Sequence, residues 1–135
     1  MVADAIEVTL CDPAVGELTS RGRLVDREGQ TLAGFVQRYR AVRGSRVLQI
    51  EVELDPQQEP RADAWNSYYA CRFAWGDESA NFYRTSGGVR EPTDIKRLEA
   101  PYYVEIDLPK QHTAILTGGR PYHRRIGLRM LDTLL

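Results

Sequence analysis

The feature that most constrains the fold is the alternation of apolar and polar residues within Val47–Leu54, which is strict from Leu48 onward. The apolar side chains occupy even positions and the polar ones odd positions: Leu48, Ile50, Val52 and Leu54 against Gln49, Glu51 and Glu53. Successive side chains of a β-strand point to opposite faces, so this period of two predicts a strand. We expect its apolar face to pack and its charged face to meet water.

Weaker forms of this alternation recur along the chain, separated by turn sequences. We predict further strands at Ala5–Cys11, Gly16–Val25, Thr31–Val42, Tyr102–Leu108, Thr113–Thr117 and Ile126–Leu135, and either a short strand or an irregular segment at Ala80–Thr85. Helical periodicity is nearly absent, with one candidate turn near Pro92–Leu98. Short strands joined by turns favour an all-β fold, an antiparallel β-sandwich, and 135 residues suit one domain, residues 1–135.

The charge balance argues against two classes of partner. With 18 basic and 19 acidic residues, the formal net charge is -1, which gives no general attraction to nucleic acid or to an anionic membrane. No run approaches the roughly 18 apolar residues of a membrane-spanning helix, and the N-terminus lacks a signal-peptide pattern. We therefore expect a soluble, cytoplasmic protein with neither a nucleic-acid nor a membrane partner.

The residues that usually build metal or catalytic sites are sparse. Cys11 and Cys71 lack metal or redox spacing, so we expect two reduced thiols, with a long-range disulfide as the alternative. Two histidines in the whole chain are too few to predict a zinc site. Asp77 and Glu78 are neighbours that suit a turn, whereas glycosidase carboxyls stand about 5 to 9.5 Å apart across a cleft. We expect no catalytic residue within this chain.

A short loop near the C-terminus leads into the highest concentration of side chains that could bind a ligand. The predicted strand Thr113–Thr117 runs into Gly118-Gly119, where glycine can adopt a positive φ, and Pro121 then fixes its own φ. The loop should therefore be rigid. It is followed by an aromatic ring, an imidazole and two guanidiniums: Tyr122, His123, Arg124 and Arg125. This set suits a polar, oxygen-rich ligand.

The stretch Trp65–Trp75 supplies a second set of aromatic and basic side chains. One face is expected in the core: Tyr69, Cys71, Phe73 and Trp75. Tyr68 and Arg72 fall on the other face. They suit sugar recognition, in which aromatic rings meet C–H surfaces and planar donors meet hydroxyls, within the general pattern of apolar walls and a few placed polar groups. A structural role for them stays open.

Arg124 lies at an even position, like Ile126 and Met130. Even positions of one strand share a face, and these two apolar residues should point to the core, so Arg124 is predicted to face inward. An unpaired buried charge is costly, so such an arginine needs a ligand or a carboxylate partner. Asp77 and Asp107 are the candidate partners.

Four stretches together resemble the C-terminal β-domain of bacterial glycoside hydrolase family 38 proteins, the α-mannosidase family. The most specific are WNSYYACRFAW at Trp65–Trp75 and ILTGGRPYHRR at Ile115–Arg125. Glu99–Ile106 and Arg129–Leu135 fit the same pattern, within a match that covers roughly Gly16 to Leu135.

This resemblance implies part of a galactose mutarotase-like supersandwich, packed on an N-terminal catalytic domain of the same polypeptide. It implies retaining exo-α-mannosidase activity on a mannoside, carried by a carboxylate nucleophile and a zinc ion in that other domain, with no cofactor in this chain. It places one arginine at the rim of the sugar site, and Arg124 or Arg125 is the matching position; which one stays open. Four further residues join them as substrate-binding candidates: Tyr122, His123, Tyr68 and Arg72.

The chain stops at Leu134-Leu135, inside an apolar run, so we expect a piece excised from a larger multidomain glycosidase. The expected function is that of a non-catalytic C-terminal β-domain that contributes side chains to the sugar-site rim. Two alternatives remain: a stand-alone carbohydrate-binding module, and a purely structural or interaction sandwich.

Overall fold

Strands make up all the regular structure in the computed structural model, which describes residues 1–135. The strands are β1 Val2–Cys11, β2 Val15–Val25, β3 Thr31–Val42, β4 Leu48–Pro56, β5 Ala70–Ala74, β6 Asn81–Ser86, β7 Val89–Pro92, β8 Arg97–Glu99, β9 Tyr103–Leu108, β10 Gln111–Leu116, β11 Tyr122–Ile126 and β12 Met130–Leu134. Every pairing between them is antiparallel. The predicted all-β class is confirmed, and no helix is long and apolar enough to cross a membrane.

The chain divides into two compact units, residues 1–59 and 60–135. The interpretation as one sandwich domain, and as part of a supersandwich, stays a prediction. Cys11 in the first unit and Cys71 in the second are free thiols.

The first unit is a four-stranded meander in the order β1-β2-β3-β4. The β2–β3 turn is held by Asp26, whose Oδ1 accepts hydrogen bonds from the backbone N–H groups of Glu28 and Gln30 at 2.9 and 2.8 Å. Gly29 adopts a φ of 85° in this turn. The hairpin predicted from the sequence therefore forms, and it sets the register of β2 against β3.

The two faces of this sheet follow the alternation predicted for β4. On the polar face Arg38 forms ion pairs with Glu51, at 3.3 Å, and with Glu53. The apolar face carries Phe35, which is buried and pairs with Leu54 across β3 and β4. Towards the other end the same face is open to solvent, including Val8, Leu18, Leu48 and Ile50. The expected packing is thus confined to one end of the face.

The second unit is a sandwich of two four-stranded sheets, with strand orders β10-β9-β6-β7 and β5-β12-β11-β8. Its core combines side chains from both sheets: Phe82, Val104 and Ile106 from the first, and Leu98 and Leu131 from the second. Burying apolar groups from two facing sheets is what stabilises this layer arrangement.

Two local expectations were wrong. Ile126–Leu135 is not one strand, because Gly127 turns the chain with a φ of 60° between β11 and β12. Pro92–Leu98 contains no helical turn and holds the end of β7 and the start of β8 instead. By contrast, β6 shows that Ala80–Thr85 is largely a strand.

Candidate functional site

Four charged residues lie side by side across the sheet β5-β12-β11-β8, and we call them the arginine row: Arg72, Asp132, Arg124 and Arg97. The strand register aligns them, because Asp132 pairs with Arg72 on one side and with Arg124 on the other, and Arg124 pairs with Arg97. Directly opposed residues share one face of a sheet and have Cβ atoms about 4.5–5.5 Å apart. The row thus gathers side chains from four strands.

Asp132 is the centre of the row. Its side chain is 1% exposed, and its carboxylate accepts hydrogen bonds from Arg72 through Nε at 2.6 Å and Nη2 at 2.8 Å. The Tyr68 hydroxyl donates a third bond, at 2.9 Å. Burial opposes ionisation, but the bonds from Arg72 and Tyr68 outweigh it and hold the pKa of Asp132 below its ordinary value. The carboxylate therefore fixes both partners.

Arg124 is held by the segment that precedes β5. Its Nη1 donates to the backbone carbonyl of Trp65 at 2.6 Å and lies 3.4 Å from the Tyr68 hydroxyl. The guanidinium also lies 5.8 Å from the centroid of the Tyr68 ring. A part-buried arginine is thus satisfied by a carbonyl and an aromatic face. Neither Asp77 nor Asp107 lies within ion-pair distance of it, so these two suggested partners were wrong.

A tight turn places the aromatic residues over the row. Asp63 holds this turn, because its Oδ1 accepts from the Trp65 N–H at 3.2 Å and its backbone carbonyl accepts from the Ser67 N–H at 2.8 Å. The Trp65 ring then meets Tyr122 edge to face, with centroids 6.3 Å apart. The guanidinium of Arg97 lies 5.6 Å from the same indole. Two aromatic rings therefore border the arginine row.

Part of this surface is open to solvent. The Arg72 side chain is 55% exposed although its partner Asp132 is buried, and Tyr122 is 48% exposed. We call the arginine row together with Trp65, Tyr68 and Tyr122 the row face. It combines anchored donors with partly exposed aromatic rings.

His123 lies on the opposite side of β11 and is fully buried. Its Nε2 lies 3.2 Å from the Ala100 carbonyl and its Nδ1 lies 3.1 Å from the Thr133 hydroxyl. A carbonyl only accepts, so Nε2 carries the proton and Nδ1 accepts from Thr133. Burial lowers the pKa of His123 and keeps the ring neutral. Both nitrogens are occupied, so we leave His123 out of the row face.

Arg125 also projects away from the row face. It pairs with Leu131, which pairs with Phe73, and Leu131 is fully buried in the core. Its guanidinium lies 5.3 Å from the centroid of the Phe82 ring and borders a separate cleft. Of the predicted site residues, the structure therefore brings together Tyr68, Arg72, Tyr122 and Arg124, and it separates His123 and Arg125 from them.

Sequence reasoning missed Asp132 and Arg97. Asp132 did carry a signal, since it is the one charged residue in the apolar run Met130–Leu135, where a carboxylate needs a partner. Arg97 carried none, because only the register of β8 against β11 brings it beside Arg124.

Comparisons with protein-family models, with curated proteins and with solved structures find no match to this chain. No group of three or more His, Cys, Asp or Glu side chains is placed to hold a metal ion.

Proposed function

We propose that residues 60–135 form a non-catalytic carbohydrate-recognition unit whose ligand lies on the row face. In this proposal Arg72 and Arg124 donate hydrogen bonds to sugar hydroxyls, and Tyr122 meets the C–H surface of the ring. In keeping with the sequence resemblance, we further propose that the unit belongs to an α-mannosidase-like hydrolase. There it packs on the catalytic domain, and the row face supplies part of the rim of a mannoside site.

The observation that supports this proposal is the set of hydrogen bonds that Arg72 and Tyr68 donate to Asp132, which we call the clamp. One buried carboxylate orders the guanidinium of Arg72, whose side chain is more than half exposed, together with the phenol of Tyr68. A side chain that is ordered before binding loses less conformational entropy when a ligand binds. Immobilising a flexible side chain costs about 0.5–1.5 kcal/mol of binding free energy. Anchored donors next to exposed aromatic rings are the features that a sugar site needs.

Binding is tested by adding methyl α-mannopyranoside to the full chain and following the two indole N–H signals by NMR. We expect a saturable shift of the Trp65 signal in the millimolar range, and a Trp75→Phe variant assigns which indole is which. Arg124→Met should weaken binding about tenfold, equivalent to about 1.4 kcal/mol. Arg120→Met is the matched control, since Arg120 is exposed and lies in the loop before β11.

Absence of any shift across a panel of mannosides, glucosides and galactosides would remove the carbohydrate proposal. Assignment to a larger hydrolase is tested separately, by the mass of the native polypeptide. A native chain with these same termini would contradict an accessory domain, while leaving sugar binding by the isolated chain testable.

A structural role is the second candidate, and one observation favours it: the Asp132 carboxylate already receives three hydrogen bonds from within the unit. In that case Arg124→Met lowers the unfolding free energy and no sugar shifts either indole signal. The same titration and a urea unfolding curve therefore distinguish the two candidates.

A further inference from the structure

We propose a second ligand site in the second unit, in the cleft that Arg125 borders, for a small carboxylate that carries a hydroxyl or ammonium group beside it. The cleft has a volume of about 380 Å³ and is lined by residues that include Phe82, Tyr83, Thr93, Asp94 and Arg125. Arg125 and Arg124 are neighbours on β11 and project to opposite faces, so this site is separate from the row face. It is independent of the carbohydrate proposal.

The guanidinium of Arg125 lacks a counter-charge, and this favours a ligand in the cleft. No carboxylate lies within ion-pair distance of its guanidinium, whereas Arg84 and Arg90 in the same unit pair with Glu91 and Glu105. Its Nε is buried and has no hydrogen-bond partner. An enclosed donor without an acceptor costs about 1–3 kcal/mol, and such groups are rare in native proteins. A carboxylate bound at the guanidinium supplies the negative charge that no side chain of this unit provides.

A second unsatisfied donor lies against the same aromatic ring. The Nε1–H of Trp75 is buried without a partner, and the Trp75 ring stacks on Phe82 with centroids 6.2 Å apart and planes 11° apart. The guanidinium of Arg125 packs on Phe82 as well. Both unsatisfied groups are donors. At Arg125, which borders the cleft, this favours a ligand that offers acceptors over a basic or apolar one.

Asp94 narrows the choice of ligand. Asp94 lines the same cleft, and no ion pair joins it to Arg125. A simple anion would be repelled by Asp94, whereas a donor group beside the ligand carboxylate would pair with it. Hydroxy acids and amino acids both have this arrangement. An ammonium group gains most from Asp94, so an amino acid should bind more tightly than the matching hydroxy acid.

The test uses the full chain and four probes: glycine, glycolate, acetate and inorganic phosphate. The reporter is the Trp75 indole N–H signal in NMR, because Trp75 stacks on Phe82, which lines the cleft. We expect saturable shifts with affinity in the order glycine, glycolate, acetate. Arg125→Met keeps an unbranched side chain over Phe82 while removing the donors. It should weaken glycine binding at least about tenfold, or about 1.4 kcal/mol.

Two further variants keep the test decisive if Arg125→Met fails to fold. Asp94→Asn removes a surface charge and should strengthen acetate binding while weakening glycine binding. Arg120→Met removes a cation outside the cleft and should change neither. Overturning results are an unresponsive Trp75 signal, equal binding by the Arg125→Met variant, or a phosphate response as strong as that of glycine. A linear shift without saturation would show binding at high concentration only and would also overturn the site.

Discussion

The carboxylate of Asp132 accepts two parallel hydrogen bonds from the guanidinium of Arg72, at 2.6 and 2.8 Å, across neighbouring strands. Replacing Asp132 with asparagine removes the charge while keeping the shape. The buried amide can then no longer accept from both Arg72 nitrogens and from Tyr68 together. Because Arg72 itself is more than half exposed, it can be rehydrated, so we expect a loss of about 1–3 kcal/mol, below the roughly 3–5 kcal/mol of a fully buried pair.

Urea unfolding of the second unit measures this loss, and Glu78→Gln is the matched control. Glu78 pairs with Arg129 at 3.6 Å, and both side chains are more than half exposed. Exposed pairs contribute about 0–1 kcal/mol, so the control should unfold nearly like the native protein. Equal unfolding midpoints for the two variants would show that the clamp contributes no stability.

The clamp also predicts how acid affects the second unit. Arg72 and Tyr68 lower the pKa of Asp132 in the folded chain, whereas the unfolded chain titrates near the ordinary value of about 3.9. The stabilisation is therefore fully present above that value and is lost as the pH falls through the folded pKa. Thermal melts at a series of acidic pH values should show this decline. Asp132→Asn should remove that part of the decline, and an unchanged acid profile would contradict the assignment.

His123 predicts a second pH dependence, at higher pH. Burial lowers its pKa in the folded chain, while the unfolded chain takes up the proton at about 6.5. Between those two values the unfolded state binds more protons. Stability should therefore fall as the pH decreases through about 6.5 and then level off below the folded pKa. The slope of melting temperature against pH measures the effect.

The matched control for His123→Gln is His112→Gln, because His112 is the other imidazole and its side chain is 78% exposed. We expect His123→Gln to lose the slope and His112→Gln to keep it. A direct check follows the His123 ring signals by NMR, which should stay in the neutral form when the pH falls below 6.5, the ordinary histidine value. Titration of that ring near its ordinary value would refute the buried, neutral assignment.

The sequence predicted strands well because their signal is local. Alternation in Val47–Leu54 corresponds to β4, and the Asp26 turn sets the hairpin of β2 and β3. The hairpin inside Ile126–Leu135 was missed because Gly127 is the only glycine or proline in a run that is mostly apolar. One glycine is a weak turn signal, and the chain reversal becomes evident only from its positive φ.

The candidate site was predicted in part, for a different reason. Alternation along the strand correctly placed Tyr68 and Arg72 on one face, away from Phe73. It was wrong for Arg124, which was expected to face inward but pairs with Asp132 on the face opposite the core residue Leu131. It could not identify partners, since Arg72 and Asp132 are 60 residues apart and Arg124 and Trp65 are 59 apart. Such contacts depend on strand register, and a slip of one residue would send every side chain to the other face. The row and the Arg125 cleft therefore emerge only from the tertiary pairing.

In the first unit, a substitution at Gly22 on β2 tests how closely β1 and β3 approach that strand. A Cβ added to Gly22 would lie 2.1 Å from the Val2 carbonyl oxygen and 2.9 Å from the Phe35 ring, distances that require the backbone to move. Overpacking of this kind costs about 1–3 kcal/mol, so Gly22→Ala should destabilise the sheet by at least that amount. Gly16→Ala, on the same strand, meets nothing within 4 Å and should unfold nearly like the native protein. The destabilisation of the sheet in each variant is measured by hydrogen exchange of the amides in β1 and β2. Faster exchange should be confined to Gly22→Ala. Equal exchange rates in the two variants would show that β1 does not lie this close to β2 in solution.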